Sequence, residues 1–324
     1  MRIVNRKEVE NILSMEACIG VMEAVLSELA RGEAVQTLRQ VLPLAGGNLM
    51  GLMPGYLAGT KVAGAKQITI FPRNHERGLP SHQGGVTLFD AETGTLTGIV
   101  NGQAITAIRT AAVSAVATKI LALPDARRLA ILGTGEQAAS HLEAMLLVRD
   151  IRQVHVWSRN TEKARHFAAE MSAKWNVEIH AAETVEEAVR EADIICTVTA
   201  ATEPVLRGEW VQPGAHINAV GACRPGDREL DTALVKQARL YVDRLESAMN
   251  EAGDYLLPLK EGAITPGHIV GELGGLLLRC VEGRGFGEEI TLFKSLGLAI
   301  EDLAAAEYIY RRAEELHIGI EVEF

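Results

Sequence analysis

Aromatic side chains are scarce in this chain: 3 Trp, 5 Tyr and 6 Phe make up 4% of 324 residues. Its apolar content, 48%, therefore comes from Ala, Val, Leu and Ile, the usage of an α/β enzyme, and the length is enough for two domains with substantial cores. Cysteine is as sparse. Cys18, Cys196, Cys223 and Cys280 lie far apart, with no C-x-x-C pair and no metal-ligand spacing. Nine histidines form no H-E-x-x-H or H-x-x-E-H cluster, so no metal site is expected. Positive charge is also short. Thirty-two Lys and Arg face 42 Asp and Glu, a net charge of −10, which argues against nucleic acid and anionic membrane surfaces as partners. No stretch reaches membrane-spanning length without a charge, and Met1–Glu8 has no signal-peptide apolar core. The expectation is a cytoplasmic enzyme with reduced thiols.

What is present begins with Arg128-Leu-Ala-Ile-Leu-Gly-Thr-Gly-Glu-Gln-Ala138. Four apolar residues run into Gly133, then Thr134, Gly135, Glu136 and Gln137, and a helical pattern follows. A buried strand, a glycine turn and a helix start form the unit that holds a dinucleotide pyrophosphate. Gly133 suits the turn, Gly135 suits close backbone approach, and Ala138 stands where a third glycine often sits. A second strand, Gln153-Val-His-Val-Trp-Ser158, arrives where such a unit needs one. Its end lacks the acid that binds a ribose 2′-hydroxyl. Ser158, Arg159 and Asn160 stand there instead, and a guanidinium pairs a 2′-phosphate, so NADPH is expected over NADH, with NADH possible.

Organisation divides near residue 120. Residues 6–32 carry apolar positions at helical spacing with Gly32 as a stop. Between 35 and 100, short apolar segments (38–42, 49–53, 61–71, 86–89, 95–100) alternate with Gly, Pro and Asn, predicting a β-rich sheet or half-barrel with a turn at Asp90–Gly94. Thr106–Leu121 predicts an Ala-rich helix. From Arg127, strands at 128–132, 153–157, 177–181, 193–198, 215–220 and 239–243 alternate with helices at 137–148, 161–174, 185–191 and 230–237. The pattern is that of a doubly wound parallel sheet, a Rossmann fold. Residues 252–290 are mixed and Gly-rich, and 296–316 predicts a helix that packs back on the first domain. The expected domains are 121–295 for the dinucleotide, and 1–120 with 296–324 as a discontinuous α+β domain for substrate.

Ligands of a doubly wound sheet lie outside the carboxyl ends of its strands. Three segments there end in small or polar residues: Gly133–Gln137, Thr197–Thr202 and Val220–Gly226. The first domain must supply substrate groups, and its basic residues in β-like context are Arg39, Lys61, Lys66, Arg73 and Arg77. Arg109 stands in an otherwise small or apolar helix and needs an anionic partner or a way out to solvent. Ser81-His82-Gln83 is a polar cluster in an apolar-flanked region, with His82 a candidate catalytic group.

These residues resemble the ornithine cyclodeaminase/mu-crystallin family. The matching segments are Arg39–Pro43, Leu52-Met-Pro54, Lys66 followed by Asn74, Pro80–Gln83, Ile105–Ala112, Gly133–Ala138, His216–Gly221 and Thr291–Gly297, in order through almost the whole chain. Ala201-Thr-Glu-Pro204, Gly208-Glu-Trp-Val211 and Pro213–Ala222 read as its mu-crystallin-like branch. The resemblance implies a homodimer built through the β-rich domain. It implies that Arg39, Lys66 and Arg109 clamp a substrate carboxylate, with Met53 and Cys223 also at the substrate and Lys66, Arg109 and His82 at the chemistry. Thr110, Gly133, Thr134, Gly135, Glu136, Gln137, Ser158, Arg159, Asn160, Thr199, Val220, Ser295 and Leu296 would line the cofactor.

Two departures set the expected reaction. Cyclodeaminases carry an acid directly before Leu-Met-Pro, and an Asp shortly after His-Ile-Asn-Ala-Val-Gly. Here those positions are Gly51 and Cys223. Deamination with ring closure needs a carboxylate to free the amine, and a thiol is a poor replacement. The resemblance then implies NAD(P)H-dependent reduction of a cyclic ketimine carboxylate, yielding L-proline or L-pipecolate. Ornithine cyclodeamination, alanine dehydrogenase-type oxidation of an open-chain amino acid, and cofactor binding without catalysis are the competing expectations.

Overall fold

The computed structural model describes residues 1–323, apart from the side chain of His75. Two compact units make up the chain: Met1–Arg109 with Gly297–Phe324, and Thr110–Leu296. The division falls at 109/110 rather than the expected 120/121 because a continuous helix runs through it and no linker marks it. The expected 296–324 segment ends on Phe324, outside the described residues.

In the first unit, strands β1 (Arg2–Val4), β2 (Ala34–Gln36), β3 (Gln40–Pro43), β4 (Leu49–Leu57), β5 (Val62–Ile70), β6 (His82–Asp90) and β7 (Leu96–Asn101) join a C-terminal strand, Ile320–Glu321, in one sheet. Its ladders are antiparallel except β1 with β7. The β6–β7 turn forms where expected, since Asp90 Oδ1 accepts from Glu92 N at 3.0 Å and Thr93 N at 2.7 Å. The single helix expected over 6–32 is instead two, α1 (Arg6–Ile12) and α2 (Met15–Ala30). Ser14 leaves the helical conformation between them and its hydroxyl caps Ala17 N at 3.2 Å, a local bond that outcompetes the apolar periodicity. Helix α3 starts at Gly102, earlier than expected, because the Asn101 side chain accepts from Ala104 N at 3.0 Å. It runs to Leu121, is long and apolar enough to cross a membrane, and is mostly buried, as a central core helix is. The C-terminal helix spans Ala299–Glu315, not 296–316, since Gly297 takes φ +78° just before it. It packs on β4, β5 and α2.

In the second unit, strands β8 (Arg128–Leu132), β9 (Gln153–Trp157), β10 (Glu178–Ala181), β11 (Ile194–Thr197), β12 (His216–Ala219), β13 (Arg239–Val242), β14 (Ile269–Glu272) and β15 (Thr291–Lys294) form one parallel sheet in the order β10-β9-β8-β11-β12-β15-β13-β14. Six of these stand within a residue or two of expectation. β14 comes from the Gly-rich stretch 252–290 and carries no separable strand signal, and β15, a four-residue run directly after it, is not among the expected strands. The helices are α4 (Glu136–Val148), α5 (Thr161–Trp175), α6 (Val185–Val189), α7 (Thr232–Gln237), α8 (Leu245–Glu251), α9 (Gly253–Lys260) and α10 (Leu273–Leu277). Burial on both faces explains the unbroken apolar runs: every residue of β11, β12 and β15 is buried. The direction of winding reverses between β8 and β11, the switch point at which such sheets bind ligands.

Candidate functional site

Each unit carries one cluster of candidate groups. In the first, Lys66 sits mid-strand in β5, opposite Met53 on β4 and Val86 on β6. All three are buried. Lys66 Nζ donates to Asp302 Oδ1 at 2.8 Å and to Thr106 Oγ1 at 2.7 Å. Arg109 Nε donates to the same Oδ1 at 3.0 Å, and its Nη1 to Glu301 Oε2 at 3.0 Å. Glu301 and Asp302 lie in the first turn of the C-terminal helix, where acids also complement the helix dipole, and Glu301 Oε2 accepts Leu298 N at 3.0 Å. The preceding turn makes room for the guanidinium: a Cβ on Gly297 would lie 2.6 Å from Arg109 Nη1. Arg39, half-buried, donates through Nη2 to Gly297 O at 3.2 Å.

Three cations and two carboxylates leave this group with one net positive charge when all are ionised, the complement of a single carboxylate. Its electrostatics are tense. Burial, with Arg109 and Arg39 adding to it, brings the Lys66 ammonium down from 10.5 to about 8, against the pull of Asp302. Burial alone would raise the Asp302 carboxyl, yet Arg109 and Lys66 beside it hold it below the usual carboxylate range. Asp302 Oδ2 is buried with no hydrogen-bond partner.

Sequence reasoning picked Arg39, Met53, Lys66 and Arg109, and the fold gathers them. It missed Glu301 and Asp302. Their signal was an acidic pair on the apolar side of the last helix, where burial demands a cation. His82 is not part of the group. It opens β6, exposed, with Ser81 Oγ 2.9 Å from Nδ1. Its ladder partner is Ile70, four positions along from the Lys66–Val86 pair, about 13 Å at the usual strand rise.

In the second unit the β8–α4 turn has the predicted form. Gly133 takes φ +127°, and a Cβ there would lie 2.7 Å from Val198 O. Gly135 is the N-cap of α4, with no side chain capping it and open space where its Cβ would be. The first turn of this 13-residue helix, through Glu136 and Gln137, points the positive end of the helix dipole to the glycine turn, which suits an anion. Thr134 Oγ1 lies 3.5 Å from Ser158 Oγ at the end of β9. Arg159 beyond it is exposed. Asn160 is committed elsewhere: its Oδ1 caps α5 by accepting Lys163 N at 3.0 Å. Thr199 and Val220 follow β11 and β12, and Thr110 is buried in α3. Ser295, after β15, is 1% exposed, and its hydroxyl has no hydrogen-bond partner among the described residues. Leu296 N is held by Asp243 Oδ2 at 2.6 Å. Cys223 is half-buried, its thiol 3.4 Å from Val220 O. A helix N-terminus without a side-chain cap, a turn that only glycine suits and the buried Ser295 hydroxyl fit a dinucleotide. Three buried charges of this unit, Glu229, Asp254 and Lys294, escaped sequence reasoning; a lysine inside the apolar strand Thr291-Leu-Phe-Lys294 was the available signal.

A model of the ornithine cyclodeaminase/mu-crystallin family matches residues 1–317. The chain is 43% identical to ketimine reductase mu-crystallin of Rattus norvegicus over 93% of each chain. It is 39% identical to a Delta(1)-pyrroline-2-carboxylate reductase of Bacillus cereus over 100% of each. Among solved structures, Thermococcus litoralis Delta(1)-pyrroline-2-carboxylate reductase in complex with NADH and L-proline matches with a TM-score of 0.97 and 39% identity, over 99% of this chain and 100% of that one.

Proposed function

The chain belongs to the ornithine cyclodeaminase/mu-crystallin family, and from that premise we propose that it is an NAD(P)H-dependent reductase of cyclic ketimine carboxylates. Its substrate would be Δ1-pyrroline-2-carboxylate, giving L-proline, or the six-membered homologue, giving L-pipecolate. The observation that carries this reading is the set of buried Lys66 and Arg109 with half-buried Arg39, balanced by Glu301 and Asp302 to one net positive charge. A carboxylated imine fits that charge. Relatives named for reduction of this substrate match over the full chain.

Arg39, Lys66 and Arg109 hold the substrate carboxylate and so fix the C=N bond in place. Met53, beside Lys66 in the ladder, gives the ring an apolar surface. Lys66 is the clamp group that carries a transferable proton near neutral pH, since its ammonium sits at about 8 while guanidiniums keep theirs. It is our candidate for keeping the imine nitrogen protonated. Bound reduced nicotinamide supplies the hydride. The α4 N-terminus with Gly133–Gln137 takes the pyrophosphate, and Ser158 and Arg159 take a 2′-phosphate, favouring NADPH over NADH. Thr199, Val220, Ser295 and Leu296 surround the nicotinamide end. Gly51 and Cys223 supply no carboxylate for amine deprotonation, which separates this chain from a cyclodeaminase. A Cβ at Gly51 would already meet Ile68 Cγ2 at 3.1 Å.

We further propose a homodimer through the first unit. There β3 is exposed at every residue, with Val41 at 52% and Leu42 at 59%, an apolar edge that a second copy would cover. The four cysteines are unpaired, which suits the cytoplasm.

The direct test follows loss of NADPH absorbance with Δ1-pyrroline-2-carboxylate and with its six-membered homologue, alongside ammonia release from ornithine. Imine reduction with negligible ammonia is expected. Robust ornithine turnover without imine reduction would overturn the reading.

A further inference from the structure

The last residues of three adjacent strands, Thr197 of β11, Ala219 of β12 and Lys294 of β15, stand in register at the carboxyl edge of the parallel sheet. A buried carboxylate joins the turns that leave the first two. Glu229, 0% exposed, accepts four hydrogen bonds, using both lone pairs of each oxygen. Its Oε1 takes Thr199 N at 2.8 Å and Thr199 Oγ1 at 2.7 Å. Its Oε2 takes Thr197 Oγ1 at 2.7 Å and Gly221 N at 2.7 Å. The turns are packed so closely that a Cβ on Gly221 would lie 2.1 Å from Thr199 O and 2.6 Å from Glu229 Oε1.

The carboxylate is itself anchored. Asp254, in the first turn of α9, accepts Glu229 N at 2.8 Å and Leu230 N at 3.0 Å through Oδ1. Its Oδ2 faces Lys294 Nζ at 3.1 Å, and that ammonium also donates to Ala219 O at 3.2 Å. All three charged groups are buried, two negative and one positive. An uncompensated buried charge costs several kcal/mol, so such an arrangement persists where it positions something. Lys294 is followed directly by Ser295, whose buried hydroxyl has no hydrogen-bond partner among the described residues.

We propose that Glu229, locked by Asp254 and Lys294, is the positioning residue for the nicotinamide end of the cofactor. It sets the spacing of the turns after β11 and β12 and their register to Ser295, without touching the cofactor. The proposal rests on the dinucleotide reading above. It assigns the far half of the ligand to this network and the pyrophosphate half to the Gly133–Gln137 turn.

Two ligands separate the halves: NADPH, and the 2′-phosphorylated ADP-ribose that lacks the nicotinamide. Calorimetric titration of Glu229→Gln should show NADPH binding weakened at least tenfold, with the fragment's Kd within twofold of wild type. An amide in place of the carboxylate turns one acceptor into a donor facing the Thr199 or Gly221 N–H. Lys294→Met should act in the same direction. Equal weakening of both ligands, or no change in either, overturns the proposal. If Glu229→Gln does not fold, Thr197→Val removes a single donor to the carboxylate without changing side-chain size. A loss of about threefold confined to NADPH is then expected, and a loss shared with the fragment overturns the idea. If the wild-type protein binds neither NADPH nor NADH, the functional reading fails instead.

Discussion

In the proposed reading, the Thr110–Leu296 unit would offer its ligand mainly backbone: the first turn of α4, the φ +127° turn at Gly133 and the strand-end turns after β11 and β12. The other unit offers side-chain charge, with Lys66 and Arg109 buried against Glu301 and Asp302, which are more than 190 residues away in sequence. Backbone groups come with the element that carries them, so the cradle is built by local rules. A cluster of buried charges exists only once distant segments have closed on it, and each member depends on the others. Losing one side chain should therefore be severe in the clamp and mild in the cradle.

The harshest break of that contrast is Arg109→Ala. It removes the cation beside buried Glu301 and leaves Asp302 with Lys66 alone, and about 3–5 kcal/mol of stability should go with it. Substrate kcat/KM should fall by a further 2–4 kcal/mol while cofactor Kd moves little. Urea melts and steady-state kinetics check both. Near wild-type values would dissolve the clamp. Gly133→Ala is the strongest single change the cradle admits, because it places a Cβ against Val198 O. Backbone strain of about 1–3 kcal/mol should appear as weaker cofactor binding, with substrate KM unchanged at saturating cofactor.

Smaller still is Arg159→Ala, an exposed side chain at the edge of the cradle. Losing one charge-assisted phosphate contact costs about 1.5 kcal/mol, so NADPH should lose roughly tenfold in kcat/KM and NADH almost nothing. Equal losses for both cofactors would remove Arg159 from the site. The finest test is a pH profile. Lys66 holds its proton only to about pH 8 in the folded protein, against 10.5 as a free side chain. Imine reduction should therefore decline as pH rises through 8, and Lys66→Arg, whose guanidinium keeps its proton, should lower the rate at every pH and remove the decline at 8. Between 8 and 10.5 the unfolded chain binds the extra proton, so this group's destabilising contribution, full below 8, fades as pH rises. A decline that stays at 8 in the Arg variant would belong to another group.

The sequence was most legible where one segment suffices. Strand, Gly133, Gly135 and helix lie within a dozen residues, and β8, α4 and β9 stand where periodicity placed them. It was least legible where a local choice overrode periodicity, as at Ser14, or where a strand lacked a pattern of its own, as in β14. Arg109 was legible as a charge out of place in a small, apolar helix, whereas Arg39 and Lys66 stood out from Lys61, Arg73 and Arg77 only through the family resemblance. Their carboxylate partners were not legible, since nothing local says which of 42 acids will be buried beside them.

By itself the sequence determined the class of the fold, the dinucleotide turn and the missing carboxylates at Gly51 and Cys223. Each of these is a property of a position or a short run, and chain folding cannot alter which atoms stand there. Tertiary structure alone decided that Asp302 would bind Lys66 and Arg109 together, that His82 would stand outside the clamp, and that Glu229, Asp254 and Lys294 would be buried as a set. Those outcomes depend on which strands become neighbours and how far water is excluded between them. Burial sets the energy of a charge, and no residue carries its burial in its name.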